Sequence, residues 1–433
     1  MLQSKHYHFQ IKSRDKKFVL KDVDMKVLAC LYNKKFLTSQ QITGLYSFFR
    51  GKILSLKNIQ SKLTRFSAHG GILSKRIETK ANSAHKRAFY SLKPHTIRFL
   101  QEHQYLPKNF SLKHTERLSL HAVLSREVLI RALEGLVKNG TDEYHANIVN
   151  NIDLRSFLVQ KSINAKNNPY NFVPDEFITI HNRSAFIEMD MSTEGLEQVL
   201  EKIEHYISYA KQTTEKVGVF FVGVDGSFFN PIADTAAYGR LSNLLFRMRK
   251  YYNELMSIEN LQIFVCSLKD SGDVIAEFLL NQTFEREHYT NVILEPLSQR
   301  QVGDSIWKYG YAEKVNGFKL SVSGGLRRIY RTDKNATKDF YFVFGHENEY
   351  RSIAQLDDLI HSRIESSGYL NLPLIIMYPK RDKPREVLLM SDYKDTYLFS
   401  LQNENLKLNE AEKLYMRTAN HSNPAKREIL ELY

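Results

Sequence analysis

The chain has 433 residues, 42% hydrophobic and 25% charged, with two cysteines and a net charge of +13. That length allows two or three domains with real cores, and that composition excludes general disorder. The charge is regional: residues 1–116 hold 23 Lys and Arg against 6 Asp and Glu, while the rest holds 38 against 42, so a nucleic-acid footprint is expected in the first quarter.

No apolar run approaches the roughly 20 residues of a membrane helix. The basic start of the chain leads into no apolar signal core and is read as mobile. Cys30 and Cys266 lie far apart in sequence and support neither a disulfide framework nor a zinc site. A cytoplasmic protein with no membrane partner is expected.

The first elements read helix, helix, helix, strand, strand. Val23, Val27, Leu28 and Leu31 make a helical stripe. A second helix follows Leu37, with Thr38 or Ser39 as N-cap and Gln41 placed for a capping box. A third carries Ile59, Leu63 and Phe66 on one face and stops at Gly70-Gly71. GILSKRIETK and HKRAFYSLK then alternate as short strands around the turn ANSA, and a fourth helix starts at Pro94. Three helices and a hairpin are the parts of a winged helix, whose third helix enters the major groove. Lys57, Lys62 and Arg65 on that helix, with Lys75, Arg76, Lys86 and Arg87 on the wing, would contact phosphates of double-stranded DNA. Asn58 and Gln60 are the candidates for base edges. Winged helices often work as homodimers, although no heptad run supplies a dimer interface here.

From Leu118 the pattern changes to mixed α/β. A long amphipathic helix is followed by strand candidates at 144–150 and 157–160, then by strands at 177–180 and 185–189 joined by HNRS. A helix over 193–211, a buried strand over 217–225, a helix over 240–255, the strand LQIFVCSL and the helix SGDVIAEFLL follow. Helix–strand units after a short meander imply a mixed sheet with helices on both sides. Residues 290–433 read as a further α/β region with strands in KLSVSGGLRRIYRT, DFYFVFG, LPLIIMYP and EVLLMS and a helix in QLDDLIHSRIESSG. The expected domains are therefore 1–110, 115–285 and 290–433.

The chemistry concentrates in PDEFITIHNRSAFIEMD. Asp175 opens one strand; Glu188 and Asp190 close the next and share a face because strand side chains alternate. Carboxylates converging at a strand end suit Mg²⁺ or Mn²⁺, which polarises a phosphoryl oxygen and activates water. The stretch resembles the PD-(D/E)xK nuclease superfamily: Pro174-Asp175 matches its first element and Glu188 its second, and Glu127 would be the helical acid. The resemblance implies Asp175, Glu188 and Glu127 as metal ligands, and the convergence of carboxylates at the strand end adds Asp190. The superfamily's Lys position holds Asp190 here, so Lys202 or Lys211 on the next helix would supply that cation, Lys202 being the better placed.

The wider layout is a basic winged helix, a helix beginning near His121, PD, a strand, then EMDMSTEGLEQVLEKIEHYISYA. It resembles the replication-relaxation family of mobile genetic elements. That resemblance implies a role in plasmid replication, mobilisation or DNA relaxation and carries no catalytic mechanism of its own; metal-dependent nicking, with Asp175, Glu188 and Lys202 as catalytic residues, is the expectation from the nuclease-like stretch. The other reading is a non-catalytic regulator or origin-binding initiator with a retired nuclease fold. In that reading the acids before Thr193 serve a helix N-terminus. Tyr206 and Tyr209 read as packing residues. No His cluster of the common relaxase kind appears, since His6 and His8 pair alone, and no Walker A or HExxH motif is present.

Overall fold

A computed structural model describes residues 6–10, 17–69, 71–79, 86–108, 118–140, 174–191, 195–224, 244–281 and 349–354, together with the backbone of strands between 301 and 430. The strands expected at 144–150 and 157–160, the turn ANSA, the helix at 355–368 and the strand at 386–391 lie outside the described residues. The content is mixed α and β. By contact the chain forms two compact units, residues 1–238 with 266–281 and residues 239–265 with 282–433. The regions expected as first and second domains thus fall largely within one unit.

The first unit opens with a hairpin, β1 (His6–Gln10) and β2 (Lys17–Lys21), paired with Phe9 opposite Phe18. This corrects the reading of the N-terminus as mobile. Phe9 and Leu20 are buried, and the Phe9 ring stands edge-on to Phe99 at 5.0 Å. Then come α1 (Asp22–Lys34), β3 (Leu37–Thr38), α2 (Ser39–Phe49) and α3 (Leu56–Thr64). Thr38 caps α2: its Oγ1 accepts from Gln41 N at 3.2 Å, while its own N–H donates to Gln41 Oε1 at 3.0 Å. α3 buries Ile59 and Leu63, and a π turn at Arg65–His69 extends it and buries Phe66. β4 (Leu73–Thr79) and β5 (Lys86–Leu92) form an antiparallel hairpin, with β3 on the other side of β5. α4 (Pro94–Glu102) starts with its Pro in the first turn, where the missing N–H costs nothing.

α5 (Leu120–Lys138) then runs beneath a second sheet. β6 (Glu176–Ile180) and β7 (Arg183–Asp190) are antiparallel across the two-residue turn His181-Asn182, where His181 adopts φ 52°. α6 (Leu196–Ala210) crosses over to β8 (Lys216–Gly223), which lies parallel to β7. The even-numbered side chains of β7 face α6, since the Phe186 ring stands 5.4 Å from Tyr206 and 5.3 Å from Tyr209. The opposite face meets α5 and α8 (Ser271–Leu279). α5 and α8 approach closely enough to require glycine: a Cβ on Gly272 would lie 2.7 Å from Arg131 O, and one on Gly135 2.8 Å from Gly272 O.

In the second unit, the helix expected over 240–255 is broken: a 3₁₀ turn at Met248–Tyr251 leads into α7 (Tyr252–Ser257). β9 spans Leu261–Ser267. Arg351 ties the region together through Leu255 O at 2.8 Å and Ile258 O at 2.9 Å. The remaining strands form an eight-stranded sheet in chain order: β10 (Gln301–Val302), β11 (Ser305–Tyr311), β12 (Arg327–Asp333), β13 (Ala336–Phe344), β14 (Leu374–Tyr378), β15 (Thr396–Ser400), β16 (Leu414–Thr418) and β17 (Glu428–Leu430). Pairing is parallel only at β13–β14–β15. Three of these strands, β12, β13 and β14, are expected from the sequence in whole or part; β10, β11 and β15–β17 are not.

Candidate functional site

The start of β6 and the end of β7 are neighbours because the hairpin is in register, with Glu176 opposite Ile187. Asp175, just before β6, therefore lies beside Glu188, and its Oδ2 accepts from Met189 N at 2.8 Å. Glu188 points from β7 toward α6. There Lys202 Nζ donates to its Oε2 at 3.0 Å and Tyr206 OH to its Oε1 at 2.5 Å. On α6 these two donors are four residues apart, hence on one face. From the other side of the sheet, His121 in the first turn of α5 brings Nε2 to 3.3 Å from Asp175 Oδ2.

Glu188 is 4% exposed. Burial raises its pKa from 4.5 to about 7, Asp175 adding to the rise while Lys202 and the bond from Tyr206 oppose it. Tyr206 is held well above its ordinary value by burial and by Glu188. The site is thus a pair of neighbouring carboxylates, one of them poised to ionise near neutrality, with a single Lys at its edge.

Not every expected ligand joins it. Glu127 faces elsewhere, its Oε1 accepting from Arg131 at 3.2 Å and its Oε2 from Gln41 at 3.4 Å. It lies six residues beyond His121, which turns it to another side of α5. Asp190 is buried and shares the face of Glu188, but it stands one pleat further along, about 6.6 Å. Among the described residues no three His, Cys, Asp or Glu groups are close enough to hold a metal, which corrects the four-ligand set. Asp175 and Glu188 still suit a hard cation such as Mg²⁺, which takes one or two carboxylates and completes its shell with water and phosphate oxygens. Sequence reading missed the hydroxyl of Tyr206 and the imidazole of His121. The spacing of Lys202 and Tyr206 was a usable signal, whereas nothing local joins His121 to Asp175.

The basic N-terminal face has its own geometry. Lys57, Asn58, Gln60 and Arg65 are exposed on α3 and its extension, and Lys75 and Arg76 on β4. Arg76 lies 3.0 Å from Glu78. Arg87 is half-buried on β5 with Glu127 and Glu78 nearby, and burial lowers its pKa. The side chain of Lys86 lies outside the described residues. Lys62 is a correction: it turns inward, pairs with Asp24 and lies 4.9 Å from the Tyr46 ring centre. Position 62 flanks the buried Leu63, and burial lowers its pKa against the pull of Asp24.

Residues 28–222, from α1 to β8, match the family model described as replication-relaxation. Over that stretch the chain is similar to the replication-relaxation family. The match takes in both the basic N-terminal elements and the Asp175–Glu188–Lys202 cluster. No curated protein and no solved structure matches the chain. No helix among the described residues is long and apolar enough to cross a membrane.

Proposed function

We propose that this protein binds duplex DNA of a mobile element through an N-terminal winged helix and nicks it at Asp175, Glu188 and Lys202. The observation that carries the reading is the meeting of these three side chains at one end of the β6–β7 hairpin. The antiparallel β6–β7 pair, the α6 crossover and the parallel β8 suit a PD-(D/E)xK-like core, with its lysine moved to the helix. Asp175 and Glu188 would hold a Mg²⁺ or Mn²⁺ ion, which supplies a polarised phosphoryl oxygen and a more acidic water. Lys202 would place positive charge beside the phosphate. The exposed face of α3 and the wing cations support duplex binding.

A second reading, a non-catalytic initiator or regulator, is favoured by one feature. Both Glu188 oxygens are engaged by Tyr206 and Lys202, so the site is satisfied without a metal. Supercoiled plasmid incubated with the protein and Mg²⁺, Mn²⁺ or EDTA separates the two. Open circles that need metal and vanish in Asp175→Ala/Glu188→Ala establish the nickase. A mobility shift on intact supercoils with every metal establishes the binder.

A further inference from the structure

We propose that α3 and the Asp175–Glu188 site form one rigid ruler, so that docking of the N-terminal domain fixes where the second site meets the duplex. The proposal rests on the DNA-binding reading above and holds whether or not the site cuts.

Domains joined only by a linker move relative to one another unless a large, well-packed interface prevents it. Here three separate seams prevent it. Gln41, 1% exposed, fixes the start of α2 and donates through Nε2 to Val123 O of α5 at 2.9 Å. Arg126 of α5, 6% exposed, lies with its guanidinium 3.9 Å from the Phe36 ring centre. Its Nη1 donates to Phe36 O at 3.4 Å, and Phe36, Phe89 and Val123 pack as one cluster around it. The third seam is an ion pair from Lys34, the end of α1, to Glu176, the residue beside Asp175; their side chains are 13% and 4% exposed. Breaking a buried pair of this kind strands a charge, so the pair resists opening. Between these seams Gly44 of α2 sits so close to Ile130 that a Cβ would come within 2.2 Å of its Cγ2. α5 thus belongs to both parts. It packs on α2 through one face and carries His121 to Asp175 at its N-terminal end.

A directed hydroxyl-radical probe reads the ruler without any nuclease activity. Cys30 and Cys266 are 2% and 1% exposed, so an iron–EDTA reagent would label an introduced cysteine selectively. His121→Cys places the probe at the site; Glu197→Cys, exposed in the first turn of α6, is an independent second position. Both are made in the full chain with Asp175→Ala present, to silence intrinsic cutting. DNase footprinting locates the protein on duplexes whose flanking sequence is then scrambled. The expected result is one cluster of radical cuts per probe, within about one helical turn (~10 base pairs), at an offset from the footprint that does not change with the flanks. Cuts spread over both flanks, or an offset that follows the flanking sequence, would overturn the ruler. Absence of any footprint would refute the DNA-binding reading and the ruler with it.

Discussion

Replacing Glu188 with Gln gives the sharpest test of the site, because the sign of its effect is unusual. The carboxyl has a pKa of about 7 in the folded chain against 4.5 when unfolded. Below pH 4.5 both states hold the proton. Between pH 4.5 and 7 the unfolded state has released it and the folded state has not, so stability falls as pH rises through that window. A difference of about 2.5 units at about 1.4 kcal/mol each makes the loss roughly 3 kcal/mol by pH 8. Gln cannot ionise, and it keeps an acceptor for Tyr206. Glu188→Gln should therefore match the wild type near pH 4.5 and exceed it by up to about 3 kcal/mol at pH 8. Denaturant unfolding of both proteins at half-unit steps from pH 4.5 to 8 measures this, following the transition of the first unit. The difference between the two proteins removes every other titration. A difference that does not vary with pH would refute the claim that Glu188 is buried at a cost to its charged form.

Other consequences can be measured alongside. Mg²⁺ at ten times its Kd should stabilise the wild type by about 1.4 kcal/mol at pH 8 and leave Glu188→Gln unmoved; equal shifts in both would place the ion elsewhere. Lys202→Met should lower nicking about 100-fold with duplex affinity unchanged, read by plasmid assay and anisotropy. Lys57→Ala and Arg65→Ala should each reduce the salt slope of DNA binding by about one. Thr38→Ala, which removes the cap of α2, should cost about 1 kcal/mol in thermal or denaturant unfolding.

Much of the first unit was legible because its signals are local. The capping box at Thr38 and Gln41, the Pro94 helix start and the 3.6-residue stripe of Ile59, Leu63 and Phe66 each lie within a few residues. The hairpin of β1 and β2 was missed because its apolar positions, Phe9 and Leu20, are sparse and gain meaning only against α4. The site divides the same way. Asp175 and Glu188 follow from strand alternation and a short turn at HNRS, which the structure tightens to His181-Asn182, and Lys202 from helical placement. Glu127 and Lys62 were misplaced because a charged residue beside an apolar stripe can turn either way. Tertiary partners decide the direction, here Arg131 and Gln41 for one and Asp24 for the other.

The first unit contains a second buried carboxylate with a Lys and a Tyr, and the contrast between the two separates structure from function. Asp24, 2% exposed, accepts from Tyr46 OH at 2.8 Å, from Lys62 and, through Oδ2, from the backbone N–H of Lys21 at 2.9 Å. Glu188 has the same two side-chain types, Tyr206 and Lys202, but where Asp24 has a third donor Glu188 has a second carboxylate, Asp175. At Glu188 the like charge of Asp175 disfavours the charged form. Asp24 also holds a Lys whose side chain is only 17% exposed, whereas that of Lys202 is 31% exposed and stays in contact with solvent. The same chemical change should therefore act in opposite directions. Asp24→Asn leaves Lys62 without its counter-charge and should destabilise the chain at pH 8 by about 3 kcal/mol. Glu188→Gln should stabilise it over the same range. Parallel unfolding curves for the two variants decide the matter: if both destabilise at pH 8 to a similar degree, Glu188 is a structural ion pair like Asp24, and the case for a site poised to take up a cation or a phosphate fails.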